Sequence, residues 1–255
     1  MSNEKDIVVL GLGEVGKPLY EIISSHRRTV GVDLAPPDQE IGEVEVLHIC
    51  YPFQIKDFEG RTADYIAQYR PELVIINSTV SVGTTRRIAE RSGTPVVNSP
   101  VRGKHIRMRE EMCKYVKFVG AIDEKAGAHA VQHFESVGMK AKALSSPEAS
   151  ELAKLTETTY FGLMIAWAQE LERYCDQSNA SYEEVISFYE EIKFFPPVKY
   201  FPGVIGGHCV MPNIAILQNE YDSEILAAIE NSNKMKIERD ERVKAAAEPA
   251  ERVTV

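Results

Sequence analysis

The stretch that most constrains this chain is Asp6-Ile7-Val8-Val9-Leu10-Gly11-Leu12-Gly13-Glu14-Val15-Gly16-Lys17-Pro18-Leu19. Four consecutive apolar residues read as a buried parallel strand. Gly11, Gly13 and Gly16 then spell G-x-G-x-x-G, and Leu19, Tyr20, Ile22 and Ile23 begin a helical stripe. In such a corner one glycine makes a tight turn, the second lets backbone approach a pyrophosphate, and the third packs helix on strand. The helix aims its unpaired N–H groups and the positive end of its dipole at the phosphates. A second apolar strand, Thr29-Val30-Gly31-Val32, ends in Asp33. A carboxylate roughly 20 residues past the first glycine suits the hydroxyls of an adenosine ribose and repels a 2′-phosphate. The expected cofactor is therefore NAD rather than NADP. Its expected contacts are Gly11, Leu12, Gly13, Glu14, Val15, Gly16 and Asp33, with Pro52, Ser78 and Thr79 at the ends of later strands.

The composition narrows the class. A formal charge of −9 over 255 residues argues against general affinity for nucleic acid or an anionic membrane. No apolar run reaches the roughly 20 residues of a membrane span. The polar start, Met1-Ser2-Asn3-Glu4-Lys5, runs straight into the first strand and is not expected to be a signal peptide. The four cysteines, Cys50, Cys113, Cys175 and Cys209, contain no C-x-x-C pair, which suits a reducing cytoplasm and no metal site.

Further strands are expected over 44–50, 73–77, 95–98, 115–119 and 139–144, with helices over 60–69, 85–91 and 123–137. Strands alternating with helices mean an α/β, Rossmann-type doubly wound parallel sheet, whose ligands bind at the carboxyl ends of its strands. The Ser78–Gly83 and Ser99–His105 loops should edge that crevice. Ser145-Ser146-Pro147-Glu148 is both a helix start and a domain junction, giving an NAD-binding domain over 1–145 and an all-helical domain over 146–255. The helix from there to about Asp176 is apolar on every face between Tyr160 and Ala168, so it is expected to be buried all round, in part against a second copy in a homodimer. Ser181-Tyr182-Glu183-Glu184 is a capping box, Phe194-Phe195-Pro196-Pro197 ends that helix, and a last helix covers 223 to about 247.

Two stretches in the second half carry potential chemistry. In Glu151-Leu152-Ala153-Lys154-Leu155-Thr156-Glu157-Thr158, Lys154 and Thr158 lie one turn apart on one helix face. A desolvated lysine there is a usable base or polarising cation; a lysine snorkelling to the surface is the plainer reading. In Gly203-Val204-Ile205-Gly206-Gly207-His208-Cys209-Val210-Met211-Pro212-Asn213, glycines precede a cysteine that could serve as a thiolate nucleophile, or be a small buried hydrophobe.

Taken in order, the glycine corner, Ser78-Thr79-Val80-Ser81-Val82-Gly83-Thr84-Thr85, the Glu151–Lys154 helix and the Gly203–Cys209 loop resemble the UDP-glucose/GDP-mannose dehydrogenase family over about residues 5–235. The resemblance implies an NAD-dependent enzyme that oxidises a sugar C6 alcohol to an acid in two hydride transfers. It gives Cys209 the nucleophile's place, Lys154 that of the oxyanion stabiliser, and Thr79 a place by the nicotinamide. Gly206 and His208 would then border the sugar. The sequence departs from the family pattern in four ways: Thr158 replaces an asparagine, Asn213 replaces an acid, Val101 replaces a glutamate, and the third, nucleotide-binding domain is expected to be missing. Pro100-Val101-Arg102-Gly103 resembles the substrate loop of the β-hydroxyacid dehydrogenases, relatives that use a helix lysine and no cysteine. Arg102, Lys104 and His105 head a basic cluster there, either a solvated loop or the holder of a substrate carboxylate or phosphate. A non-catalytic NAD-binding module is the remaining alternative.

Overall fold

The computed structural model describes residues 5–35, 37, 39–103, 105–192, 201–207 and 209–247, with residues 105, 246 and 247 described by backbone alone. It divides into two compact units, Met1–Lys154 and Leu155–Val255.

The first unit is a seven-stranded sheet in the order β2-β1-β3-β4-β5-β6-β7. β1 (Asp6–Leu10), β2 (Thr29–Val32), β3 (Val44–Ile49), β4 (Leu73–Ile76) and β5 (Val96–Asn98) all run parallel. Their runs are largely apolar because successive residues feed opposite faces and both faces are covered. Ile7, Val9, Val46 and Ile75 join one core with Leu19 and Ile23 of α1 (Gly16–Ser24) and Phe134 of α5 (Glu124–Ser136). Val8, Leu10, Leu47 and Ile76 join the other with Phe58 and Ile66 of α2 (Phe58–Tyr69) and Ile88 of α3 (Thr84–Ser92).

The sheet is α/β and doubly wound as expected, but not parallel throughout. β6 (Lys117–Ala121) runs antiparallel to β5, with Asn98 opposite Gly120 and Val97 opposite Ala121. A parallel neighbour requires the chain to cross back to the starting edge. The 99–116 link instead holds a 3-10 turn (His105–Arg107) and the seven-residue α4 (Met108–Lys114), which packs on α1. The chain therefore enters β6 beside the end of β5. α5 then makes the crossover to β7 (Ala141–Leu144), parallel to β6.

α6 (Pro147–Ser178) runs 32 residues across the division between the units. The second unit adds α7 (Tyr182–Glu191), α8 (Val210–Glu220) and α9 (Glu224–Ala247). Ser181 caps α7 by accepting from Glu184 N–H, as the capping box requires; residues 194–197, expected to end that helix, lie outside the described residues. Leu155, Ala166, Leu171, Ile205, Ile214, Leu217 and Ile229 are buried here. Within the single chain the middle of α6 is covered on one side: Tyr160, Phe161, Leu163 and Trp167 are 40 to 52% exposed, which leaves the expected second copy untested. An apolar pattern reports that a face avoids water, not which chain covers it. The covered face carries Gly162, where a Cβ would lie 2.6 Å from Val210 Cγ1.

Candidate active site

In the glycine corner the three glycines have separable roles. Gly11 has φ +86°, and a Cβ there would lie 2.8 Å from the backbone nitrogen of Tyr51. A Cβ on Gly16 would overlap the carbonyl oxygen of Gly11. The protein itself thus requires both. Gly13 has nothing within 4 Å of its would-be Cβ and is exposed, so its lack of a side chain leaves room for something outside the fold. No side chain caps the start of α1 and no acid lies in its first turn, which leaves its positive end for an anion. Asp33, one residue past β2, accepts from Leu12 N–H at 2.7 Å and Leu34 N–H at 2.9 Å. These bonds lash the carboxylate to the turn beside exposed Glu14 and half-buried Val15. A dinucleotide fits this arrangement: open space at Gly13, a helix start with no side-chain cap and no acid in its first turn, and an oriented carboxylate.

The strand ends beside it are braced by side chains. Ser78 Oγ donates to the carbonyl of Tyr51 at 2.6 Å, tying the end of β4 to the end of β3. Its hydroxyl proton is engaged there, while Thr79 is half-buried and Pro52 exposed. Glu151, 1% exposed, accepts from Gly83 N–H (2.6 Å), Thr85 N–H (2.9 Å) and Thr85 Oγ1 (2.6 Å). It thereby caps α3, whose own cap residue is a left-handed glycine, Gly83, with no side chain to offer. Burial pushes the Glu151 carboxyl up, against the pull of these three donors. Ser150 Oγ donates to Asn98 Oδ1 at 2.7 Å, and Arg86 meets Glu148 at 2.7 Å. Three residues of one helical turn thus fix the start of α6 to the carboxyl edge of the sheet. Lys154, half-buried, stands one turn further on.

A second lysine lies deeper and was missed in the sequence. Lys117, 4% exposed at the start of β6, donates to the carbonyls of Ser99 (2.6 Å) and Pro100 (3.3 Å) and lies 5.1 Å from the centre of the Phe134 ring. Burial brings its ammonium down to about 7, with the charge of Lys154 acting in the same direction and that of Cys50 opposing. Its register, alternating with core Val119, was the one available signal, since a buried lysine needs partners. Arg102, expected on the substrate, has its guanidinium 5.7 Å from the Tyr115 ring centre and 5.8 Å from that of Phe118. Val101 is buried. Lys104 lies outside the described residues and His105 is described by backbone only.

In the second unit, Cys209 is exposed and occupies the cap position at the start of α8, where a helix favours negative charge. Sequence reading missed α8 altogether, although Val210, Ile214 and Leu217 carry its spacing. Gly207 has φ +81°, and a Cβ on Gly206 would meet nothing within 4 Å. His208 lies outside the described residues. Asn213, one turn past Cys209, donates from Nδ2 to Thr158 Oγ1 at 2.8 Å. The structure thus brings together two of the positions singled out in the sequence.

Residues 148–235 match the family model described as the UDP-glucose/GDP-mannose dehydrogenase family, central domain. The UDP-N-acetyl-D-mannosamine dehydrogenase of Campylobacter jejuni is 23% identical over an alignment covering 92% of this chain and 73% of that protein. Further curated relatives with that name are aligned over 33% of their own length. Among solved structures, the UDP-D-ManNAc dehydrogenase of Pyrococcus horikoshii superposes with a TM-score of 0.81 at 21% identity, covering 95% of this chain and 71% of that one. The 3-hydroxyisobutyrate dehydrogenase of Mycobacterium tuberculosis gives 0.71 at 16% identity, over 93% and 94%. A dinucleotide-type corner in the first unit and a cysteine at a helix cap in the second thus accompany a match of residues 148–235 to the central domain of the UDP-glucose/GDP-mannose dehydrogenase family.

Proposed function

We infer that the protein is an NAD-dependent oxidoreductase that oxidises the primary alcohol of a nucleotide-linked sugar. The observation that carries this reading is the glycine corner with Asp33 in a chain whose residues 148–235 match a dehydrogenase family. NAD, when bound, supplies the hydride acceptor. Gly13 leaves room for its pyrophosphate, the start of α1 offers donors to it, and Asp33 accepts from the adenosine ribose. Thr79 is assigned to the nicotinamide side and Pro52 and Ser78 to the crevice wall.

Lys154 takes the role of the cation that stabilises an oxyanion on the oxidised carbon. Cys209 takes that of the nucleophile, adding its sulfur to the aldehyde carbonyl. Loss of the carbon-bound hydride to the acceptor that NAD would supply, and of the hydroxyl proton to solvent, would turn the resulting thiohemiacetal into a thioester, which water would hydrolyse to the acid and the free thiol. Thr158 and Asn213 are assigned to the neighbourhood of that sulfur, and Gly206, His208, Arg102, Lys104 and His105 to the substrate. The test is a titration with NAD and NADP followed by turnover against a panel of nucleotide sugars. Preference for NADP removes Asp33 from its role, and absence of hydride transfer across sugars and hydroxyacids leaves a nucleotide-binding module.

A second reading, hydroxyacid oxidation by Lys154 without the cysteine, is supported by the superposition on 3-hydroxyisobutyrate dehydrogenase and by buried Val101 in the Pro100–Gly103 loop. Here Cys209→Ser leaves turnover intact and Lys154→Ala abolishes it.

The same reading makes the protein a cytoplasmic homodimer. Tyr160, Phe161, Leu163 and Trp167 line one exposed stretch of α6, and large apolar side chains in such a group mark an interaction surface. Among the described residues no helix is long and apolar enough to cross a membrane. Light scattering on the purified chain checks the dimer, and a monomeric mass at micromolar concentration rejects it.

A further inference from the structure

The cysteine loop is held from behind by a buried polar clamp. Asn233 of α9, 5% exposed, accepts from Ile205 N–H with Oδ1 at 2.7 Å and donates from Nδ2 to the Ile205 carbonyl at 3.0 Å. One amide side chain thus pairs with both backbone groups of one residue, as a neighbouring strand would. Two residues earlier, the Gly203 carbonyl accepts from Gln169 Nε2 at 2.8 Å. Gln169 lies in α6 and has no exposed surface.

The orientation of that glutamine is itself fixed. Ser232 Oγ donates to Gln169 Oε1 at 2.9 Å and accepts from the Arg173 guanidinium at 2.9 Å. The Gly203 carbonyl can only accept, so the Gln169 NH₂ must face it and Oε1 faces Ser232 Oγ, which also lies 3.3 Å from the Ala166 carbonyl oxygen. Four side chains from α6 and α9 therefore determine where the main chain at 203–205 lies. Gly206 and Gly207, the second at φ +81°, follow before Cys209. A glycine pair gives the chain freedom that the residues before it must remove.

We propose that Asn233 and Gln169 are positioning residues for Cys209: by clamping Ile205 and Gly203 they hold the glycine loop in one conformation and so present the thiol at the start of α8. The inference rests on the reading of Cys209 as the nucleophile. It adds two side chains that touch neither substrate nor cofactor. Buried amides that only filled the core would be replaceable by apolar groups of similar volume. Clamping the loop, by contrast, demands one donor and one acceptor at Asn233.

The test compares wild type with Asn233→Ala, Asn233→Asp and Gln169→Met. Asn233→Asp keeps an acceptor for Ile205 N–H and loses the donor, so it serves as the graded intermediate and as the fallback where the alanine variant does not fold. Turnover is measured with the nucleotide sugar that wild type oxidises, and thiol alkylation by iodoacetamide is read on the Cys209 peptide by mass spectrometry. The expected result is a ten- to hundredfold loss of kcat in Asn233→Ala with the KM and the affinity for NAD unchanged, and a smaller loss in Asn233→Asp. The alkylation rate of Cys209 should change at least threefold in the same order. Alkylation rates equal to wild type in all variants would overturn the proposal, as would altered rates with kcat unchanged. A wild type without turnover counts against the oxidoreductase reading, while the alkylation series still decides the clamp.

Discussion

Asn213 Nδ2 donates to Thr158 Oγ1 at 2.8 Å, and Thr158 Oγ1 donates in turn to the carbonyl of Leu155 at 3.0 Å. The hydroxyl is thus used in both directions, and the amide one turn past Cys209 is tied to α6. A short hydroxyl at 158 leaves room for the amide of Asn213 to reach it. Asn213→Ala and Thr158→Val should each destabilise the protein, and a double-mutant cycle in urea should return a coupling of about 1 kcal/mol. Additive effects would mean that the pair is adjacent without being bonded.

The glycines of the corner should separate binding from folding. Gly13→Ala places its methyl in open space, so the melting temperature should stay within about 2 °C of wild type while the Kd for NAD rises at least about tenfold. Gly16→Ala must displace the Gly11 carbonyl and should cost roughly 3 kcal/mol of stability whether or not a ligand is present. Calorimetry with and without NAD distinguishes the two.

Glu151 should act on Lys154 through the helix they share. Glu151→Ala removes the acceptor of three bonds and leaves Gly83 N–H and Thr85 N–H unpaired. The expected cost is about 2–4 kcal/mol, with turnover falling beyond what the lost stability explains. Glu151→Gln, of equal size, should recover part of both. Equal turnover in all three proteins would show that the α6 start needs no such brace.

Stability should rise with pH over a wide range. The Lys117 ammonium is lowered by burial from its ordinary 10.5 to about 7, so the unfolded chain binds its proton first as pH falls from 10.5 toward 7. His133, 3% exposed and bonded to His48 at 2.9 Å between their Nε2 atoms, is lowered by burial from 6.5 to about 4. His48, fully buried, is lowered well below 6.5 for the same reason. Each group contributes fully above its unfolded value and loses that contribution as pH drops toward the folded one. Lys117→Met should flatten the upper part of the curve and His133→Phe the part between about 6.5 and 4. Urea midpoints from pH 5 to 10 that do not rise would contradict these burials.

Much of the first unit was legible because its signals are local. An apolar run, a glycine triplet and an acid at a strand end lie within one stretch of chain, and they gave β1, α1, β2 and the place of Asp33. The capping box at Ser181 was equally local. The direction of β6 was not, because it depends on whether the 99–116 link crosses the sheet, and helical spacing in Met108–Lys114 is too short to show. α8 was hidden by the glycines before it and by Pro212 in its first turn, where a proline is tolerated. The Asn233–Ile205 pairing joins residues 28 apart and Lys117–Ser99 joins residues 18 apart. Neither leaves a periodic trace. The exposed face of α6 shows the other limit: hydrophobic pattern reads the same whether the cover is this chain or another.

The role of Cys209 in oxidation by bound NAD is tested most directly by following NADH and acid formation with a nucleotide sugar in wild type and Cys209→Ser, each first shown to bind NAD with equal affinity. The expected result is NADH and acid from wild type and no acid from the serine variant. Acid formed by the serine variant at the wild-type rate would contradict it.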